Sequence, residues 1–141
     1  MITLDDYFGE RRTLYAAEFK PEFEENAARL LVPVNALLEE LGVVQRKVAS
    51  GWRPPSVNRN VPNAKPKSLH QIGGAIDVSD PGGKLGQILR VNPESPSGPL
   101  VRHDLYIENP GFTQGKKSDL SYAWVHFQLR PPASKRRMFN P

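Results

Sequence analysis

The sequence predicts one domain of mixed α and β class, helical at its start and built from short strands afterwards. Three observations carry this. The 141 residues suit one ordinary domain, long enough to bury about two-thirds of its unfolded surface without staples. Ala27, Leu30, Leu31, Val34, Leu37, Leu38 and Leu41 recur at three- and four-residue spacing, the stripe of a helix facing a core. From Val43 onward the texture changes to short β-like runs separated by Pro and Gly, with no internal repeat and no domain boundary.

Taken in order, Thr3-Leu4-Asp5-Asp6 has the form of a helix start, a Thr cap with an acid three residues on, and that short helix gives out near Gly9. Pro21 begins the long helix. Glu22, Glu24 and Glu25 crowd its first turn, where the helix dipole favours negative charge. Pro33 lies off the stripe, which predicts a kink on the solvent side and not a break, and Gly42 supplies the stop. Residues 43–52 read as a strand ended by Arg53-Pro54-Pro55, and residues 54–69, with four prolines and three asparagines, as an ordered loop. A second strand is expected over 75–78, closed by Asp80-Pro81-Gly82-Gly83. Leu85, Ile88 and Leu89 suggest one or two helical turns, and residues 91–103 a long loop. Strands are expected again at 105–108 and 123–129, and the tail from Pro131 is expected to wrap the surface.

Composition narrows the function. There is no cysteine, so disulfides and thiolate metal sites are excluded, and any metal must use His and carboxylate oxygen, a donor set that suits zinc or a similar borderline ion. No apolar run of about 18 residues exists and no basic-then-apolar export signal opens the chain, so a soluble protein without a signal of its own is expected. Residues 1–42 carry four basic and nine acidic side chains, and residues 43–141 fifteen and six. A basic majority favours a polyanionic partner such as the anionic bacterial wall, or is simply a solvated cationic surface. Nucleic acid is the weaker choice, because the cations are not interleaved with aromatics and no groove-reading motif occurs.

The chemistry gathers at Ser68-Leu69-His70-Gln71-Ile72-Gly73-Gly74-Ala75-Ile76-Asp77 and, far downstream, at Trp124-Val125-His126-Phe127. Two imidazoles and one carboxylate suffice for a catalytic Zn²⁺ with its fourth position left to water. Alternation along a strand puts Trp124, His126 and Gln128 on one face and Val125, Phe127 and Leu129 on the core face; Asp77 likewise opposes Ile76 and Val78. On neighbouring strands, His126 and Asp77 would share one side of a sheet, with His70 folding back over it.

Ser50-Gly51-Trp52-Arg53-Pro54-Pro55, Asn58, Ser68-x-His70-x-x-Gly73-x-Ala75-x-Asp77 and Trp124-Val125-His126 together resemble the zinc D-Ala-D-Ala carboxypeptidase and endopeptidase family, most closely its small single-domain phage and prophage members. The resemblance runs from about Leu4 to Phe139. It implies an α+β, hedgehog/DD-peptidase-like fold, with N-terminal helices packed on a small, mostly antiparallel sheet whose open face holds one zinc ion. It implies His70, Asp77 and His126 as ligands and peptidoglycan stem peptides as substrates; a monomer that binds neither nucleic acid nor membrane is expected. A lysis enzyme released through a membrane pore, or a virion protein, would fit a chain without an export signal.

By the same resemblance, Arg53 holds the substrate carboxylate or the developing oxyanion, which a guanidinium can grip bidentately; the plainer role is to satisfy loop carbonyls. Ser68 either donates to substrate or metal shell or simply forms a turn, and Gly73 and Gly74 serve close backbone packing. The general base departs from the better-known relatives, whose histidine two residues before the last ligand, or glutamate three before it, is here Trp124 or Ala123. Two acids are available instead: Glu108, favoured, in Tyr106-x-Glu108-x-Pro110-x-x-Thr113, a segment similar to one in phage-type relatives, and Asp119, seven residues before His126. Either is otherwise an exposed acid at a strand end. Trp124 would wall the substrate pocket, and His103 matches no ligand position and reads as surface. A catalytically silent wall-peptide-binding or virion module is the competing reading.

Overall fold

Thr3 and Asp6 cap each other's backbone: the Thr3 Oγ1 accepts from the Asp6 N–H at 3.1 Å and Asp6 Oδ2 accepts from the Thr3 N–H at 2.8 Å. They open helix α1, Leu4–Phe8, which ends at Gly9 with φ 51°. The computed structural model describes residues 1–113, 120 and 123–141. A one-turn helix α2, Arg11–Leu14, and a 3-10 turn, Ala16–Glu18, lead into α3, Pro21–Glu40. The predicted stripe is buried from Ala27 to Leu38, with Phe23 added at its start and Leu41 partly buried at its end. Pro33 sits inside α3 without ending it.

The stop after α3 is a Schellman turn. Gly42, at φ 65°, donates to the Glu39 carbonyl at 3.0 Å, and Val43 donates to Leu38 at 2.8 Å. That turn claims Val43 and leaves Val44 91% exposed, so the strand expected over 43–52 shrinks to β1, Val48–Ser50. Pro55 starts a single helical turn, α4 (Pro55–Asn58), within the expected loop, because its missing N–H and fixed φ suit a first helical position. A 3-10 turn, Leu69–Ile72, then precedes β2, Ala75–Ser79. Helix α5, Lys84–Arg90, matches expectation. The loop after it contains one further turn, α6 (Pro99–Arg102), again opened by proline. The chain continues through strand β3, Tyr106–Glu108, the turn α7, Pro110–Thr113, and β4, Trp124–Gln128. The tail does more than wrap the surface: Met138–Phe139 forms β5.

Among the described residues, five strands make one sheet in the order β1-β2-β4-β3-β5, antiparallel throughout except for the β3–β5 pair. One face gives Ile76, Val78, Ile107, Val125 and Phe127 to a single hydrophobic cluster that also holds the α3 stripe. This is the expected α+β arrangement of helices on a small, mostly antiparallel sheet. The opposite face carries the polar residues. A register irregularity between Val48 and Ser50 marks a bulge in β1 beside Asp77, a feature that bends a strand and re-aims its side chains.

Candidate metal centre

Sheet register builds the site. Asp77 is the Cα partner of Ser50 on one side and of His126 on the other. The β3–β4 pairing sets Tyr106 opposite Gln128 and Ile107 opposite Phe127, so the same register carried one residue further sets Glu108 opposite His126. Ser50, Asp77, His126 and Glu108 therefore form one row across four strands, on the face away from the core.

His70 comes from the 3-10 turn and is held there by the chain at residues 51–53. The Arg53 N–H donates to the His70 carbonyl at 3.1 Å, and the Trp52 indole N–H to the Gln71 carbonyl at 3.0 Å. Trp52 is itself fully buried among Phe8, Phe19 and Phe23, with ring centroids 5.5–6.2 Å away. From the other side Asn26 of α3 donates to the Ile72 carbonyl at 2.9 Å. Two glycines allow the close approach. A Cβ on Gly51 would lie 1.9 Å from the Tyr7 carbonyl oxygen, and one on Gly73, at φ +77°, 2.1 Å from that of Phe23. Gly74 is different, since a Cβ there would meet nothing nearer than 3.5 Å, so of the glycine pair only Gly73 is tightly packed.

The ring nitrogens sort themselves by their outer partners. His70 Nδ1 lies 2.8 Å from the Gly51 carbonyl, and His126 Nε2 lies 3.2 Å from Gln128 Oε1. Both partners are acceptors; Gln128 is oriented so by donating its own amide to the Arg130 carbonyl. Each outer nitrogen thus carries the proton, and each inner nitrogen, His70 Nε2 and His126 Nδ1, presents a lone pair. These inner nitrogens are 3.3 Å apart, and Asp77 Oδ1 is 3.3 Å from the first and 2.9 Å from the second. Three converging electron-pair donors repel unless a cation or shared protons lie among them. Atoms bound about 2.0–2.1 Å from a tetrahedral ion are roughly 3.3 Å apart, so the spacing fits a metal of that size. Both histidines are buried, and the group can hold a metal ion.

Without an ion the site stores its charge on protons. Burial alone would raise the Asp77 carboxyl, but the His70 charge and the hydrogen bonds from both rings overcome it and hold the group below its ordinary range. Burial alone would lower His126; its hydrogen bond and attraction to Asp77, with the Glu108 charge adding to them, raise it instead. Burial holds Arg53 below its ordinary value, while Asp77 and, more weakly, Glu108 favour its charged form.

The Arg53 side chain is half-buried at the rim. Its Nη2 reaches Ser68 Oγ at 3.3 Å, and its buried Nε has no hydrogen-bond partner among the described residues. Ser68 Oγ also accepts from the His70 N–H at 3.4 Å and so caps the 3-10 turn. Trp124, partly buried, stands opposite Ser79 on the same face of β4 as His126. Asp119 lies outside the described residues. His103 is well away from this row, 2.8 Å from Glu40 at the end of α3, with 19% of its side chain exposed. The residue that sequence reasoning passed over is Gln128. Its position two residues past His126, on the same strand face, was the available signal. Compared with protein-family models, with curated proteins and with solved structures, the chain finds no match in any of the three.

Proposed function

We propose that this chain is a zinc peptidase that hydrolyses the stem peptides of peptidoglycan, with a DD-peptidase-like fold. The observation that carries the reading is the convergence of two imidazole lone pairs and one carboxylate oxygen, each imidazole locked in the ligating tautomer by an outer acceptor. With no thiol in the chain, imidazole and carboxylate favour zinc over softer ions. Bound there, zinc supplies a Lewis acid and brings its water's pKa to about 7.

The remaining work falls to the protein. Glu108, one strand over from His126, takes the proton from the attacking water and returns it to the leaving amine. Arg53, half-buried at the rim, holds the charged end of the substrate through its guanidinium. Ser68 fixes the Arg53 guanidinium, and Trp124 walls the pocket. A lysis or virion role in a phage or prophage, as a monomer, is the setting that agrees with the residue pattern.

The test is release of new amines from purified peptidoglycan. Activity removed by a chelator and restored by zinc is the expected result. Tight binding without release would make the chain a wall-peptide-binding module instead.

A further inference from the structure

A groove adjoins the candidate metal centre. It has a volume of about 780 Å³ and is lined by Gln128, Asn109 and Lys65 and, from the tail, by Arg136, Met138 and Phe139. Gln128 belongs to both sites, since its Oε1 faces His126 Nε2 while its side chain lines the groove. Asn109 is the next residue after Glu108, so the groove leads away from the proposed base. Its charge is one-sided: Lys65 and Arg136 line it, and no acidic residue does among the described residues. Both cations are exposed, and neither has an ion-pair partner among the described residues. The neighbouring Arg137 contrasts with them, being paired to Asp104 at 2.7 Å and stacked on the Tyr106 ring at 4.4 Å. The tail is fixed in place to present Arg136, because β5 pairs with β3 and the Arg137 N–H donates to Glu94 at 2.7 Å.

We propose that this groove receives a carboxylate-bearing segment of the peptide substrate, with Lys65 and Arg136 as its counter-charges and Met138 and Phe139 under its apolar atoms. The inference rests on the peptidase reading for its choice of ligand. Exposed ion pairs are individually weak, so two of them together give a preference of about tenfold for the acidic ligand at low salt.

The experiment uses the zinc-loaded full chain and two synthetic pentapeptides of stem sequence, L-Ala-D-Glu-L-Lys-D-Ala-D-Ala, one with its D-Glu α-carboxylate free and one with it amidated, each dye-labelled at the N-terminus. Anisotropy titration on ice reads binding, and release of free amine in parallel samples reads cleavage. The free acid should bind about tenfold more tightly, with the difference shrinking as salt rises. The double variant K65Q/R136Q, folded by its unchanged melting temperature, should bind both peptides alike. Equal binding of the two peptides by the parent chain, or a preference that survives in the double variant, overturns the groove assignment. Because binding and cleavage are read separately, cleavage without the preference removes the groove alone, and the preference without cleavage removes the peptidase reading alone.

Discussion

Gln128 makes no contact with the proposed zinc ion, yet it decides which nitrogen of His126 offers a lone pair. Its carbonyl oxygen needs an N–H to accept from, and that requirement puts the ring proton on Nε2. Gln128→Met keeps the side-chain volume and removes the acceptor. Loss of such an outer partner commonly costs 10–100-fold in metal affinity, so competition with a zinc-chelating dye should show a weakening of about that size. His70→Ala or Asp77→Ala should abolish zinc retention in the same assay. Glu108→Gln should retain zinc fully and lose turnover; normal turnover by that variant would remove Glu108 as the base. The trio was legible in the sequence because each member sits in a recognisable short pattern. Gln128 was not, because an amide beside a histidine on a strand has no distinguishing context until its acceptor geometry is visible.

At the scale of elements, the segment 51–53 and the turn Leu69–Ile72 work as one clamp, and glycine at 73 is its hinge point. Gly73→Ala must relieve a 2.1 Å approach to the Phe23 backbone at a positive φ, a cost of about 2 kcal/mol or more. Gly74→Ala meets only ordinary contacts and should stay within about 0.5 kcal/mol. Urea midpoints of the two variants check this, and equal midpoints would mean the turn can move off α3. Helices α1 and α3 were legible from a capping box and a seven-residue stripe. The one-turn helices α2, α4, α6 and α7 were not, because four residues cannot display a period. The two residues of β5 carry no local signal either; their pairing with β3 is a tertiary event. Val43 and Val44 look like strand residues, and only the Schellman turn explains why they are not.

Across the whole molecule, the site couples folding to pH and, under the proposed reading, to metal. In the metal-free chain His126 has a raised pKa, so its contribution to stability is complete below about pH 6.5 and is lost as pH rises through the raised value. Asp77 has a lowered pKa, so its contribution is complete above about pH 3.9 and is lost as pH falls toward the lowered value. Metal-free stability from this pair therefore plateaus between roughly pH 4 and 6.5 and declines above it. Zinc, if it is the bound ion, would take the deprotonated ligands and reverse the alkaline limb. The zinc-induced rise in melting temperature should thus grow from pH 6 to 8; a rise independent of pH would place the ion elsewhere. The order of helices and then strands was legible from texture alone, whereas the strand order was not, because it depends on pairings between segments far apart in the chain.

That strand order divides the sheet into β1 with β2 on one side and β4, β3 and β5 on the other, meeting along the β2–β4 line. Asp77 and His70 belong to the first side and its connection, His126 to the second, so a cation at their meeting point would rivet one part of the sheet to the other. An ion held there would be structural cement as well as reagent: stripping it would be expected to silence the proposed chemistry and loosen the seam in a single stroke.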